Sequence, residues 1–249
     1  MSQIAAHFDR EAAQYPTHTG TDYIQARKWA LIDAHAPGTG RVADIGSATG
    51  RHTLALAERP LDIVAIDPSQ QMLAQLCRLA NTRDQDGTIL PCAAALPTLP
   101  MTEATFDLIY CFSTLLLLSP QDQEAALAEM AGLLRPGGSL IVDIAGSRSL
   151  AIRYWRRHYL RRDLSGVFGH TAPRTREMLE QNGLKIISME AHGVLSQFLL
   201  APGLQRFPGL IRRVRGRETT PGWDATLSRR LPALAERWYV VAQRPDGTD

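Results

Sequence analysis

VADIGSATGRHTLALA, residues 42–57, decides the fold of this chain. A short apolar run closes on Asp44, the chain turns through Gly46 and Gly50, and helical spacing begins at once. Glycine at such a turn takes positive φ and lets backbone pass close to a ligand. In an open α/β sheet, the carboxyl end of such a strand is where a nucleotide sits. The same alternation continues outward. RVADI (41–45), LDIVAID (61–67), TILP (88–91), FDLIYCF (106–112), SLIVDI (139–144), LKIISMEAHG (184–193) and ERWYVVAQR (236–244) predict strands. Helices are predicted over 50–58, 69–80, 119–138 and 173–183, with Ser69 and Ser119 as N-caps and Pro136-Gly137-Gly138 and Gly183 as stops. Strands alternating with helices of this length imply right-handed βαβ units and a parallel sheet.

Two ligand classes compete for the glycine turn. A dinucleotide site uses G-x-G-x-x-G, whose third glycine lets the helix approach a pyrophosphate. Here those positions hold Gly46, Ala48 and Arg51, and the pattern is G-x-x-x-G instead. S-adenosylmethionine (SAM) has no pyrophosphate and needs room for a zwitterionic tail, so the turn favours SAM over a nicotinamide dinucleotide. Asp67, 21 residues after Gly46 at the end of the second strand, supplies a carboxylate for both ribose hydroxyls.

The bulk properties fit an enzyme of this kind. The 249 residues suffice for one large domain, with net charge +2 and 45% hydrophobic residues. That balance gives no global attraction to nucleic acid. Cys77, Cys92 and Cys111 form no CxxC pair, so neither a zinc site nor a disulfide framework is expected. The N-terminus lacks the pattern of a signal peptide, and no apolar run approaches eighteen residues. A cytoplasmic protein is expected.

Four blocks together resemble the class I SAM-dependent methyltransferases of the small-molecule type: VADIGSATG (42–50), VAIDPSQQML (64–73), ALPTLPMTEATFDLIYCFSTLLLLSP (95–120) and LLRPGGSLIVDI (133–144). The leader AHFDREAAQYP (6–16) resembles those of quinone-type relatives. The resemblance implies that Asp44, Gly46, Ser47 and Gly50 line the methionine moiety and that Asp67 grips the ribose. Pro68 and Met72 would pack on adenine, residues 92–94 (Cys92, Ala93 and Ala94) would reach its edge, and Cys111 would sit near the sulfonium. Tyr15 and Arg27 on the leader would fold over the cofactor, Arg27 pairing with its carboxylate, and His52 would touch the methionine tail. Three positions depart from the family: Ala48 for a glycine, Cys92 for an acidic residue, and Leu117 for a histidine.

The expected fold is a Rossmann-like, doubly wound seven-stranded sheet of order 3-2-1-4-5-7-6, its last strand antiparallel, with helical lid additions. One methyltransferase domain spans 1–249, with a helical leader (1–36), a SAM-binding core (37–147) and substrate-side additions (148–170 and 194–235). Methyl transfer is an in-line displacement, and a base is needed only where the acceptor loses a proton. His170, in a loop at the strand-end side, is the first candidate for that base, ahead of His7 and His158. No metal site is expected, because Cys111–Thr114 carries no carboxylate and Asp143 stands alone. SLAIRYWRRHYLRR (149–162) interleaves apolar residues with arginines. It reads as a lid, as a contact for an anionic carrier or membrane surface, or, least, as an RNA contact. Its character and that of the insertion favour a small-molecule or lipid-like acceptor. A non-catalytic SAM-binding partner or regulatory protein is the rival function.

Overall fold

The computed structural model describes residues 3–15, 23–162, 164–200, 203–217 and 219–247; residues 16–22 of the leader lie outside them. Seven strands form one sheet: β1 (Gly40–Ile45), β2 (Leu61–Ile66), β3 (Thr88–Cys92), β4 (Phe106–Cys111), β5 (Leu134–Ala145), β6 (Lys185–His192) and β7 (Arg237–Gln243). Their order is β3-β2-β1-β4-β5-β7-β6, with β7 antiparallel to both neighbours and the first five strands parallel. This is the order and strand sense expected from the sequence.

Apolar residues on both faces of the strands explain the layering. Ala43, Ile45, Val64, Ile109 and Val142 face one side, against Ala126, Leu127 and Met130 of α5 (Pro120–Leu133) and Met178 and Leu179 of α7 (Ala172–Gln181). Their neighbours Val42, Ile63, Leu108 and Ile141 face the other side, against Leu31 and Ile32 of α2 (Tyr23–His35) and Leu56 of α3 (Arg51–Leu56). Each such valine, leucine, isoleucine or methionine side chain contributes about 1.5–3 kcal/mol by leaving water.

The helix predicted over 119–138 ends earlier, at Leu133, and β5 starts at Leu134 instead of Ser139. Arg244 accounts for the early stop. Its Nη1 donates to the carbonyls of Ala131, Gly132 and Leu134 at 3.3, 3.0 and 2.6 Å, satisfying the helix C-terminus from the residue after the last strand.

The leader and the later segments collect at the carboxyl edge of the sheet. In α1 (Gln3–Glu11), Asp9 accepts from Ser69 Oγ at 2.6 Å and Gln71 N at 3.1 Å, which docks the leader on the start of α4 (Gln70–Ala80). The arginine-rich stretch is α6 (Leu150–Leu160); its Ile152 is buried with Leu116, Ala145 and Val167. Gln197 ties the insertion to α6. Its Oε1 accepts from Leu150 N at 2.8 Å and from Ser149 Oγ at 3.1 Å, while its Nε2 donates to Val194 O at 2.7 Å. The insertion adds α8 (Pro208–Arg215) and α9 (Trp223–Arg230).

Candidate functional site: a cleft over the glycine turn and a polar chamber beside it

A cavity of about 410 Å³ opens over the carboxyl ends of β1, β2 and β4. Gly46 and Ala48 form its floor, Asp67, Pro68 and Met72 one wall, and Phe8 and Tyr15 of the leader its roof. The turn is tight. Gly46 has φ +77°, and a Cβ there would lie 1.9 Å from Thr114 Oγ1. Asp67 is 7% exposed; Oδ2 accepts from Ala48 N at 2.9 Å and Oδ1 from Ser69 N at 2.8 Å. A carboxylate has about four acceptor positions, so two stay open toward the cavity. Burial raises the Asp67 carboxyl above its ordinary pKa, and the two backbone donors oppose that rise.

The other sequence-predicted residues divide. Of residues 92–94, expected at the adenine edge, Ala94 lines the cavity, followed by Ala95 and Leu96, while Cys92 and Ala93 do not. Gly50, at φ +82°, is the N-cap of α3, and a Cβ there would strike Leu76; its contact is packing. Ser47 Oγ is buried with no hydrogen-bond partner among the described residues. Cys111 is fully buried in the core, which pushes its thiol well up; Phe112, Ser113 and Thr114 reach the cavity in its place.

Asp44 lies beneath the turn, where Thr53 Oγ1 donates to it at 2.5 Å, and burial pushes its carboxyl up to about 7. Its ordinary value is 3.8. A folded-state pKa raised in this way gives stability that is complete below about pH 4 and lost as pH rises through about 7. Asp44→Asn is therefore expected to gain stability relative to wild type between pH 5 and pH 8. Urea midpoints of the two proteins measured at both pH values check this; a constant difference between them overturns it.

His52 is not on the cavity wall. It is buried between Trp29, stacked at 6.4 Å, and the rings of Tyr110 and Phe112, and burial lowers its pKa to about 3. Arg27 does not reach the cavity either, because its guanidinium is held by Glu190, with Nε at 2.9 Å from Oε2. His170 is likewise absent from the cavity walls. Its backbone bridges to Gly146, and its Nε2 lies 3.1 Å from Gln123 Oε1, which joins this loop to α5.

A second space, of about 230 Å³, shares Ser113 with the cavity. Lys28 of α2 enters it, 7% exposed, with Nζ 3.4 Å from Ser113 Oγ and 5.1 and 5.7 Å from the ring centres of Phe112 and Tyr239. A desolvated cation over aromatic faces is held by about 2 kcal/mol. Asp143 accepts from Ser113 N at 2.6 Å and lies 3.4 Å from Arg237 Nη1. Ser113 takes φ +58°, a left-handed conformation that this bond helps to hold. Asp224 accepts from the backbone N–H groups of Gly193, Leu195 and Ser196 at 2.9, 2.6 and 2.8 Å. Burial raises the Glu236 carboxyl, and Arg237 opposes it. His192, at the end of β6, is 5% exposed and tilts against Tyr239 at 4.6 Å. Sequence reading missed His192, Lys28 and Ser113. Nothing local marks them, since their partners lie on other elements.

A family model described as a methyltransferase domain matches residues 42–138. An uncharacterized methyltransferase of Mycobacterium bovis is 31% identical over 150 residues, covering 58% of this chain and 73% of the relative. A demethylmenaquinone methyltransferase of Renibacterium salmoninarum is 31% identical over 144 residues, covering 56% of this chain and 57% of the relative. The chain spans 57%, 50% and 42% of the lengths of three of the curated relatives it matches. Among solved structures, the [4+2]-cyclase SpnF superposes with a TM-score of 0.70 at 21% identity, covering 98% of this chain and 96% of that one; at that identity the likeness speaks for the fold.

Proposed function

Because the chain belongs to the class I SAM-dependent methyltransferases, we propose that it methylates an O, N or C atom of a mid-sized, partly apolar or lipid-like acceptor. The observation that carries this reading is the cavity over the glycine turn. Its Asp67 carboxylate keeps acceptor positions open for the ribose hydroxyls, and Pro68 and Met72 offer an apolar face to adenine. Gly46 lines the cavity at the methionine end, where its lack of a side chain brings backbone close. These residues fit SAM. When bound, SAM supplies a methyl group on a positively charged sulfur, so the donor arrives already activated.

The protein's contribution is to position and to exclude water. Holding donor and acceptor in line can supply several kcal/mol of the barrier. Phe8 and Tyr15 cover the cavity from above, and Leu117, Leu118 and Leu164 give the far wall its apolar character. In this reading residues 37–147 hold the cofactor, and 1–36, 148–170 and 194–235 form the acceptor side of one functional unit. Calorimetric titration with SAM and with NADH tests the reading: SAM is expected to bind, and binding of NADH alone sinks it.

The acceptor's route is suggested by how charge is divided. Residues 148–162 and 194–217 hold eleven arginines and no acidic residue, while the other 16 basic residues face 25 acidic ones. The two stretches meet in space, since α6 and α8 both pack on the turn Ser196–Leu200. Leu150, Tyr154, Leu160, Phe198 and Phe207 stand exposed among the arginines. Arginine interleaved with exposed apolar side chains suits an anionic bilayer surface, where each cation contributes about 1 kcal/mol and apolar tips enter the acyl boundary. Among the described residues no helix is long and apolar enough to cross a membrane. The protein is expected to sediment with phosphatidylglycerol vesicles and not with phosphatidylcholine vesicles. The pair Arg153→Glu and Arg157→Glu should cut the bound fraction at least about tenfold, without changing SAM affinity. Equal sedimentation of the variant overturns the membrane contact.

A further inference from the structure

We propose that the polar chamber beyond Ser113 receives a hydroxyl group of the acceptor and that His192 takes its proton. The inference rests on the methyltransferase reading and names the acceptor class for it: an alcohol or phenol, giving a methyl ether.

Three observations carry it. First, the chamber shares Ser113 with the cofactor cavity, so a group placed in it lies next to the donor site. Second, His192 lines the chamber, is only 5% exposed, and has no hydrogen bond at Nδ1 or Nε2 among the described residues. A buried donor or acceptor left without a partner costs about 1–3 kcal/mol, a cost that a ligand hydroxyl removes. Third, two of the chamber's carboxylates are already committed. Asp143 is taken by Ser113 N and Arg237, and Asp224 by three backbone N–H groups.

The charges choose between acceptors. Lys28, Arg215 and Arg237 line the chamber beside Asp143, Asp224 and Glu236, so its cations and carboxylates balance and a carboxylate or phosphate ligand would add an uncompensated charge. A neutral hydroxyl adds none, and it has a proton to give. The imidazolium formed has a place to be stabilised, for Nε2 lies 3.4 Å from Glu190 Oε2, at ion-pair distance although not in hydrogen-bond geometry. Glu190 is in turn fixed by Arg27. In the balanced step the acceptor oxygen gains the methyl group and gives its proton to His192. The electron pair of the broken carbon–sulfur bond stays on sulfur as neutral thioether. Lys28, beside Ser113, faces the negative charge that builds on oxygen.

The test uses full-length protein saturated with S-adenosylhomocysteine, whose binding is measured first by calorimetry. The probe is 4-nitrophenol, whose absorption moves to longer wavelength on losing its proton. At about pH 6 the bound probe is expected to be at least about threefold more ionised than the free probe, because His192 accepts the proton. In His192→Gln the ionisation gain should vanish and affinity should fall about tenfold, one lost hydrogen bond to a charged group. S-adenosylhomocysteine affinity should stay unchanged in that variant, which shows that it is folded. His35→Gln, on the far end of α2, should behave as wild type. No saturable binding of 4-nitrophenol, equal ionisation in His192→Gln, or tighter binding of benzoate than of 4-nitrophenol overturns the proposal while leaving the methyltransferase reading standing. Failure of S-adenosylhomocysteine itself to bind overturns both.

Discussion

Asp67→Ala is expected to weaken SAM binding about 100-fold to 1,000-fold while the protein stays folded. The ribose would offer two hydroxyl donors to one carboxylate, and hydrogen bonds to a charged group contribute about 1.5–3 kcal/mol each. Asp67 can accept them because Ala48 N and Ser69 N occupy only one position on each oxygen. Those same backbone bonds hold the carboxylate still, so little orientational freedom is lost on binding. The fold should survive, since burial already disfavours the charged carboxylate there. Asp67→Asn keeps one acceptor and should fall between alanine and wild type. Calorimetric titration with SAM measures the series; a loss below about fivefold in Asp67→Ala would place the ribose elsewhere.

Gly46→Ala should be the most damaging single methyl in the turn. Its Cβ would stand 1.9 Å from Thr114 Oγ1 and 3.0 Å from Thr114 Cβ, on a backbone at φ +77°. Left-handed backbone costs a non-glycine residue about 1–2 kcal/mol, and the collision adds to it. A total of about 3 kcal/mol lowers the melting temperature of a protein this size by roughly 6–12 °C. Gly183→Ala separates the two terms, because φ is +72° there and nothing lies within 4 Å of the added Cβ. It should cost only the backbone term, about 1–2 kcal/mol. Combining Gly46→Ala with Thr114→Ala should return part of the loss by removing Oγ1. Thermal melts of the three variants and wild type decide it; equal losses in Gly46→Ala and Gly183→Ala would rule out the collision.

Much of this architecture is legible in the amino-acid sequence. RVADI, LDIVAID and FDLIYCF announce themselves because strands buried on both faces must be apolar throughout, and β1, β2 and β4 are buried along most of their length. Gly46 and Asp67 are legible for a related reason, since turn and carboxylate sit at fixed offsets from those strands. The start of β5 is not, because Arg244 ends α5 from 110 residues away. The acceptor side fails for the same cause. Arg27 finds Glu190 163 positions along the chain, so its role as a cofactor partner cannot be judged locally. His170 draws attention as a histidine in a loop, yet its ring is turned to Gln123 on α5. His192 ends an amphipathic strand, and only the fold brings it beside Lys28, Arg237 and Ser113.

Gln197 carries a consequence for motion. One side chain accepts from Ser149 Oγ and Leu150 N at the start of α6 and donates to Val194 O in the insertion. The start of α6 and the insertion are thereby fastened at a single amide. A swing of α6 away from the sheet must either drag the insertion with it or leave the Oε1 of a buried carboxamide without a partner. Local opening of the two segments is then one cooperative event and not two, and the slowest amide-hydrogen exchange in both should share one rate.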